Sequence, residues 1–432
     1  MSGTSASDIA CSASTAVARR ILMLTTSGHL YEGAGGRVRI ASETKLALKA
    51  GYDCKILCIV PIRHGATPQL VIRAVKSLEE ETGAKVSALP MCPGRRMLPR
   101  ASLWADSFLL RQYLTRVPTD IIHAHGCGAC VRALIGRKDG WPKVICDFHG
   151  APREEYLYST EGRPTERVLR MIEQMEAASI LESDGSVYVS QAMQSYYAKR
   201  LGSPGKNFAI VPCATWMRDL PYELRVRRRH EMDIDDKFVF VYAGSYRRYQ
   251  RLDRICDLFA EAMQAIRHAY LLVLTNHVQE FRQALQGRGL DPSRYTIVSL
   301  RHDDVAQWLI AGDCGLLLRD DSMLNRVSSP TKFAEYLAAG VPVILEGTIG
   351  DYNSFVREKS VGVVIERGGG PERLWQFCED VRAQRREYWQ RTRLACREHL
   401  SWETAGGALL ELYETVLRPC SPCPTLFQAG SA

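Results

Sequence analysis

The chain has 432 residues, more than a single hydrophobic core usually serves, so two domains are expected. Hydrophobic residues make up 46% and charged residues 24%, which excludes disordered and fibrous proteins. The net charge of +8 favours anionic partners, but no aromatic-and-basic signature of a nucleic-acid-binding module is present, so no nucleic acid is expected as a partner.

The N-terminal residues 1–18 are small and polar, and the apolar run after them is too short for the core of a signal peptide. No run approaches the roughly 18 to 20 apolar residues that span a bilayer. We therefore expect a loose tail over 1–18 and a cytoplasmic protein. The basic clusters at 94–100 and 225–230 also allow peripheral contact with the anionic inner face of a membrane.

Strand-like apolar runs alternate with helical stretches along the chain. The first set of predicted strands is 20–26, 54–60, 85–90, 120–126, 143–150, 185–190 and 208–214. The second set is 238–244, 269–275, 295–300, 314–319, 341–346 and 361–366. Residues 215–236, between the two sets, are polar and irregular and are predicted to form a domain boundary.

Near-continuous apolar strands separated by helices are typical of parallel sheets covered on both faces. Two such sets predict an α/β protein with two doubly wound, Rossmann-like domains that face each other across a cleft. Ligands of such sheets bind beyond the carboxyl ends of the strands, so residues directly after strands are the functional candidates.

The loop after the first strand is rich in glycine. In "SGHLYEGAGGRVRIASE", Gly35 and Gly36 lead into a helix, where a backbone can approach a ligand closely and the helix N-terminus favours negative charge. The dinucleotide fingerprint G-x-G-x-x-G is not present, which disfavours a dehydrogenase. A flexible connector would explain this stretch equally well.

Histidines follow two strands of the first set. His149, in "DFHGAPREEY", lies where a strand-end side chain points into the cleft, although a lone histidine is more often structural than catalytic. His123 and His125, in "IIHAHG", are expected to be partly buried and to support the strand end.

Arginines follow the first strand of the second set. In "GSYRRYQRLD", Ser245 opens a loop that carries Arg247 and Arg248 ahead of a helix, where arginines can clamp a phosphate. Two solvated arginines on a connector are the alternative.

The stretch "VSSPTKFAEYLAAGVPVIL" predicts a loop, a helix, a tight turn and a buried strand. Ser329 suits the N-cap, Pro330 the first helical position and Gly340 a left-handed stop. The helix N-terminal amides could hold a diphosphate that Lys332 neutralises, and Glu335 could accept hydrogen bonds from two neighbouring hydroxyls, as in a ribose. The alternative is an ordinary helix with a solvated ion pair.

Most of the 14 cysteines lie in apolar runs and are expected to be buried, reduced thiols. Cys127 with Cys130, and Cys420 with Cys423, form two C-x-x-C pairs that are far apart in the sequence. A zinc site shared by the two pairs is disfavoured, and no metal site is predicted.

These residues resemble those of glycosyltransferase family 4, whose enzymes have the GT-B fold. "SSPTKFAEYLAAGVPVI" is similar to the donor-site segment of that family, and "LSWETAGGALLELYETVL" to its closing segment. The resemblance covers nearly the whole chain. It implies an N-terminal acceptor domain over 19–215, a donor-binding domain over 216–401, a helix over 402–418 that crosses back onto the first domain, and a tail over 419–432.

The family transfers a sugar from a nucleotide diphosphate sugar to an acceptor, with retention at the anomeric carbon, and without a metal or other cofactor. The candidate catalytic residues are His149, Arg247 and Lys332, and the candidate donor-binding residues are Gly35, Gly36, Ser245, Arg248, Arg319, Ser329, Thr331 and Glu335. The resemblance implies that Glu335 binds the ribose, that Gly36 approaches the donor phosphate and that His149 lies near the transferred sugar.

The chain departs from many family members at three positions. Val327 stands where a glutamate precedes Glu335 by eight positions, and Ser245 and Gln250 replace an arginine and a lysine that contact phosphate. The charge of the diphosphate must then be met by a different cation, and the candidates are Arg247, Arg248, Arg319, Arg326 and Lys332.

The predicted function is that of a retaining, hexosyltransferase-like enzyme with a polysaccharide, glycolipid or similar acceptor. A glycosidase would need a pair of catalytic carboxylates, whereas in this family the leaving phosphate itself can deprotonate the acceptor. Two alternatives stay open: a nucleotide-sugar epimerase, for which Glu154 and Glu155 are weak candidates, and a degenerate GT-B protein that binds a nucleotide sugar or a protein without activity.

Overall fold

The computed structural model describes residues 19–26, 29–31, 35–61, 67–91, 99–366 and 371–418. The predicted tails over 1–18 and 419–432, the basic residues 94–98, and Cys420 and Cys423 lie outside the described residues. Within the described part of the chain, none of the helices combines the length and the apolar character that crossing a bilayer requires.

The first of two parallel sheets has the strand order β3-β2-β1-β4-β5-β6-β7. Its strands are β1 Arg20–Thr26, β2 Asp53–Pro61, β3 Lys85–Met91, β4 Ile121–His125, β5 Lys143–Phe148, β6 Gly185–Tyr188 and β7 Phe208–Ile210. All seven predicted strands are confirmed. Four of them end earlier than predicted, and as a result His149 and Cys213 lie in loops beyond the sheet.

The second sheet is also parallel and has the order β10-β9-β8-β11-β12-β13. Its strands are β8 Phe238–Ala243, β9 Ala269–Leu274, β10 Tyr295–Val298, β11 Cys314–Leu318, β12 Val343–Glu346 and β13 Gly362–Ile365. The six predicted strands of this set are confirmed as well, and the predicted α/β architecture of two parallel sheets is correct.

Helices cover both faces of each sheet. They are α1 Gly35–Lys49, α2 Pro68–Thr82, α3 Pro99–Leu114, α4 Cys127–Leu134, α5 Pro152–Ser159, α6 Glu166–Leu181, α7 Gln191–Leu201, α8 Tyr222–Glu231, α9 Leu252–Ala265, α10 Val278–Gln286, α11 His302–Leu309, α12 Met323–Arg326, α13 Thr331–Ala338, α14 Tyr352–Lys359, α15 Glu372–Ala383, α16 Arg385–His399, α17 Trp402–Ala405 and α18 Gly407–Leu417.

The last two helices pack on the first sheet. Trp402, Leu409 and Tyr413 lie in the same apolar layer as Ile21 and Met23 of β1. α18 contacts β6 and β7. The chain therefore returns to the first domain after building the second, although the exact limits 19–215, 216–401 and 402–418 stay predictions.

The segment 215–236 is not irregular, as the sequence suggested, because it contains α8. Arg225 and Arg229, one turn apart, are buried and bind the buried carboxylate of Asp313 at 2.6 and 3.1 Å. Two arginines of the basic cluster at 225–230 thus neutralise an internal carboxylate and do not face an anionic partner.

Candidate functional site

The glycine loop after β1 packs against a histidine. A Cβ atom on Gly36 would lie 2.1 Å from Cδ2 of His29, so only glycine fits there without displacing the imidazole ring. Nδ1 of His29 is 2.5 Å from the hydroxyl of Thr25, which fixes the ring. Gly35, in contrast, is exposed, and no atom lies within 4 Å of its Cβ position.

His149 follows β5 and packs edge-on against His29, with the ring centroids 4.8 Å apart. Burial lowers the pKa of His149 to about 4 and that of His29 to about 3, so both rings are neutral near pH 7. Among the described residues, the buried Nε2 atom of His149 has no hydrogen-bond partner. A neutral imidazole with a free ring nitrogen can bind a sugar hydroxyl.

A buried histidine–carboxylate cluster lies behind His149 and consists of Glu43, His123, His125 and Asp147. Arg39 donates two hydrogen bonds to Asp147, at 2.7 and 2.9 Å. The rings of His123 and His125 stack with centroids 4.8 Å apart. Both histidine side chains are fully buried, whereas the sequence predicted partial burial.

On the second domain, Lys332 lies in the first turn of α13. Its Nζ donates a hydrogen bond to Oε1 of Gln250 and lies 4.4 Å from the ring centroid of Tyr242. A Cβ atom on Gly244 would lie 2.5 Å from this Nζ, so glycine leaves the space that the ammonium group occupies. Burial and the nearby Arg319 lower the pKa of Lys332 well below its ordinary value.

Arg319, directly after β11, is a buried guanidinium with only 5% of its surface exposed. Its nearest partners are neutral: the carbonyl of Tyr249 at 3.5 Å and the ring of the same tyrosine, at 4.7 Å. Its Nε has no hydrogen-bond partner among the described residues, and burial lowers its pKa. Within that part of the chain neither Arg319 nor Lys332 forms an ion pair, so an anion bound here would offset their desolvation.

The other predicted cations are in different situations. Arg248 pairs with Glu161 at 2.6 Å, and Arg326 pairs with Asp321 at 2.8 Å, and both arginine side chains are largely exposed. Arg247 is exposed on the loop after β8. The structure therefore brings two of the five candidate cations, buried Arg319 and partly buried Lys332, close together and leaves the other three at the surface.

Ser329 does not cap α13, as the sequence suggested. Pro330 occupies the N-cap position, and the helix begins at Thr331, which is partly buried. The hydroxyl of Ser329 accepts a hydrogen bond from the amide of Cys213 at 2.9 Å and shares another with Tyr352 at 2.7 Å. Ser329 thus joins the two domains, and its hydroxyl is already engaged.

The other features of this segment are confirmed. Phe333, Tyr336 and Leu337 are buried, and Gly340 has a left-handed φ of +81° after the helix. Glu335 is on a partly exposed face, and its carboxylate has no ion-pair or hydrogen-bond partner among the residues that the structure describes. It therefore stays available to a ligand.

The domains meet next to these residues. Val327 is buried in an apolar layer of the first domain, and its carbonyl accepts a hydrogen bond from Ser190 at 2.8 Å. The carboxylate of Asp351 accepts hydrogen bonds from the first amides of α7, those of Gln191 and Ala192, at 2.7 and 3.1 Å. These contacts set how the strand ends of the two sheets face each other.

Three residues of the site were not predicted from the sequence: His29, Tyr249 and Gln250. His29 and Gln250 lie in the loops that follow the first strand of each sheet, which is the location where ligand contacts are expected. Ser245, which was predicted, contacts Gln250 through its hydroxyl at 3.4 Å. The signal in the sequence that could have identified His29 and Gln250 was their position shortly after predicted strands.

Comparison with known proteins agrees with this geometry. Residues 49–215 match the family model described as Glycosyltransferase Family 4. No curated protein matches the sequence.

Solved structures resemble nearly the whole chain. Sucrose-phosphate synthase from Thermosynechococcus elongatus has a TM-score of 0.68 at 16% identity, with 92% of this chain and 99% of that chain covered. A glycosyltransferase from Rickettsia africae has a TM-score of 0.68 at 14% identity, with 94% of this chain and 100% of that chain covered. Anabaena HepE in complex with UDP has a TM-score of 0.67 at 14% identity, covering 92% and 100%. At these identities the likeness shows the fold, which is GT-B.

Proposed function

We propose that the chain is a member of glycosyltransferase family 4, whose model matches residues 49–215, and that it transfers a sugar from a nucleotide diphosphate sugar to a polysaccharide, glycolipid or similar acceptor. The observation that carries this proposal is the pair of cations, buried Arg319 and partly buried Lys332, that lack carboxylate partners among the described residues. A diphosphate would supply the missing negative charge. Because HepE has been solved with UDP and with UDP-glucose, a uridine nucleotide is the first donor to test.

Lys332 compensates for a departure from the family. Many members carry a lysine at the position of Gln250, and here the Nζ of Lys332 lies against the side chain of Gln250. The ammonium group therefore reaches the same place from α13. Arg319 adds a second cation from the end of β11.

The charge arrangement fits the transfer reaction. Breaking the bond between the anomeric carbon and the phosphate oxygen leaves negative charge on the diphosphate. Cations and helix-terminal amides that meet this charge stabilise the transition state, by on the order of 3–4 kcal/mol for one well-placed donor. In the retaining reaction that we propose, the acceptor hydroxyl attacks the face that the diphosphate leaves, and its proton passes to the departing phosphate oxygen, so no catalytic carboxylate pair is required.

Two further residues would position the donor. Glu335, whose carboxylate has no hydrogen-bond partner among the described residues, would accept hydrogen bonds from both ribose hydroxyls. His149, whose buried Nε2 also has no partner in the described part of the chain, would contact a hydroxyl of the transferred sugar. Val327 cannot take the role of the first family glutamate, because its side chain is buried in the first domain.

A thermal-shift panel with UDP, GDP, ADP and CMP tests nucleotide binding, on the wild type, on Glu335→Ala and on Arg326→Ala. A nucleotide at a hundred times its Kd adds about 2.7 kcal/mol of stability, which raises the Tm by a few degrees. We expect one nucleotide to stabilise the wild type and Arg326→Ala, whose arginine is exposed and already paired, and to stabilise Glu335→Ala much less. No stabilisation by any nucleotide would contradict the proposal.

Release of the nucleotide from a nucleotide sugar separates the enzyme from the alternatives. A transferase releases the nucleoside diphosphate only when an acceptor, or slowly water, takes the sugar; a degenerate binding protein releases none, and an epimerase returns an isomeric donor. Of the two carboxylates named for an epimerase, Glu154 is held by Arg153 and by Tyr196, each at 2.6 Å, which disfavours it as the base of such a reaction.

We also propose that α3 contacts an anionic membrane surface. Trp104 and Phe108, one turn apart on this helix, are 60% and 58% exposed. Exposed aromatic rings of this kind suit a membrane interface. Co-sedimentation with phosphatidylglycerol vesicles should fall for the double variant Trp104→Ser, Phe108→Ser; equal binding by the variant would contradict this part of the proposal.

A further inference from the structure

The histidine–carboxylate cluster takes no part in the transfer reaction described above. Its side chains are completely buried, and each of its four residues offers one metal-ligand atom, all within 4.8 Å of one another. Among the described residues, both oxygens of Glu43 and the Nε2 atoms of His123 and His125 lack hydrogen-bond partners. Buried polar atoms without partners are rare, and an unseen ion is one of their accepted explanations.

The spacing of these atoms argues against direct hydrogen bonds. Oε2 of Glu43 lies 3.7 Å from Nε2 of His123 and 3.6 Å from Nε2 of His125. Both distances exceed the usual range of about 2.7–3.2 Å for a hydrogen bond. Two ligands at about 2.0–2.2 Å from one tetrahedral zinc ion lie roughly 3.4 Å apart, close to the spacing found here.

The far side of one imidazole ring has the partner that metal-binding histidines need. Nδ1 of His123 is 2.6 Å from the hydroxyl of Tyr413, a contact that fixes the tautomer with Nε2 free and is typical of histidine ligands. Nδ1 of His125 lies 3.3 Å from Oδ2 of Asp147 without forming a hydrogen bond. Arg39 holds Asp147 in place through two hydrogen bonds.

We propose that Glu43, His123 and His125 bind one divalent transition-metal ion of the zinc class. Two imidazole nitrogens and one carboxylate oxygen form a common ligand set for zinc. Oε1 of Glu43, the oxygen that does not face the histidines, lies 3.0 Å from the guanidinium of Arg39. Because Glu43 and Asp147 share this one guanidinium, the ionised cluster carries an excess negative charge, which a divalent cation would offset.

The ion would have a structural role. Its ligands come from α1 and β4, and Tyr413 of α18 contacts one of them, so it would join three elements of the first domain. The ring of His125 lies 6.1 Å from that of His149, so the ion would also support the strand ends next to the sugar site. This proposal is independent of the proposed function, and it places no metal in the transfer step itself.

Metal analysis of the purified full-length protein tests the proposal. After dialysis against metal-free buffer and back-titration with zinc, we expect about one zinc ion per chain in the wild type and a loss of most of it in His125→Gln and in Glu43→Gln. The matched control is Cys127→Ala, since Cys127, Cys130 and Cys146 are buried thiols of the same domain that lie close to one another. Cys127→Ala should keep the full metal content.

A second measurement covers the case in which the variants do not fold. In the wild type, a zinc chelator should lower the Tm and added zinc should restore it, and cobalt should give the visible absorption of a tetrahedral nitrogen–oxygen site. A wild type that binds no zinc, and whose Tm zinc does not change, would overturn the proposal and leave a proton on Glu43 as the occupant, because burial raises the pKa of that carboxyl. Loss of zinc in Cys127→Ala alone would equally overturn it. Neither result would alter the UDP-dependent shift that tests the proposed function.

Discussion

The two ends of β11 bury charge in opposite ways. Asp313, just before the strand, accepts hydrogen bonds from Arg225, Arg229 and Arg385 at 2.6, 3.1 and 2.8 Å, and from the amide of Val239 at 2.8 Å. These contacts hold its pKa below the ordinary value in spite of burial. The carboxylate at this end is thus paired with three guanidinium groups of the protein itself.

Arg319, just after the strand, is also buried, but among the described residues its hydrogen bond and its ring contact are both to Tyr249, and it forms no ion pair. Its burial lowers its pKa, which means that the folded protein disfavours its charge. The carboxylate of Asp313 is paired within the protein, whereas the guanidinium of Arg319 lacks an ion-pair partner among the described residues. The unmatched charge is at the carboxyl end of the sheet, where α/β folds bind ligands.

Asp313→Ala should have the largest effect, because it leaves three arginines around an empty position. We expect a loss of about 3–5 kcal/mol in the free energy of unfolding, measured by urea denaturation. Asp303→Ala is the control, because Asp303 is 77% exposed and lies 3.5 Å from Arg218, and should cost less than about 1 kcal/mol. Equal losses of stability in the two variants would show that Asp313 is no more important to the fold than an exposed carboxylate, which would contradict the comparison of the two ends of β11.

Arg319→Met should have the opposite signature. UDP binding should weaken roughly tenfold to hundredfold, since a hydrogen bond to a charged group contributes about 1.5–3 kcal/mol. The unliganded protein should unfold with the same or a higher free energy, because an unpaired buried charge has been replaced by an apolar side chain. Calorimetric titration and urea denaturation measure the two quantities. A destabilised variant with unchanged UDP affinity would show that Arg319 is structural.

The pH dependence should sharpen the comparison further. Burial lowers the pKa of Lys332 in the folded protein well below its ordinary value of 10.5. At any pH between the folded-state pKa and 10.5, the unfolded chain therefore binds more protons than the folded protein. The contribution of Lys332 to the free energy of unfolding therefore rises with pH in this window. Below the folded-state pKa, the lysine is charged in both states and the full cost of burying its charge is present.

UDP binding should show the reverse trend. Once the phosphates are fully ionised, above about pH 7.5, affinity should fall by up to about tenfold per pH unit as Lys332 loses its proton. Titrations at several pH values should give a flat profile for Lys332→Met. A wild-type profile that is equally flat would show that the amine does not meet the diphosphate.

Arg248→Ala should have the smallest effect. The pair of Arg248 with Glu161 joins the two domains but is 61% and 73% exposed, so its loss should cost less than about 1 kcal/mol and change UDP affinity only slightly. A large loss of UDP affinity would show that Arg248 leaves Glu161 to bind the donor. Arg248 would then again be a candidate for phosphate binding.

Most of the fold and part of the site could be predicted. The helix that begins at Thr331, the buried face of Tyr336 and the stop at Gly340 follow from local patterns of apolar residues and glycine. The cap was wrong at Ser329 because a distant amide, that of Cys213, competes for its hydroxyl. Rules based on neighbouring residues cannot predict a hydrogen bond with a group that is distant in the sequence.

The amino-acid sequence by itself determined the thirteen strands and their division into two parallel sheets, because long apolar runs can be buried only between layers of helices. The tertiary structure alone decided which charges are matched. Arg225 and Asp313 are 88 positions apart, Cys213 and Ser329 are 116 apart, and His123 and Tyr413 are 290 apart. Ion pairs and hydrogen bonds act over a few ångströms, so whether a charge is free for a ligand depends on neighbours that only folding brings close.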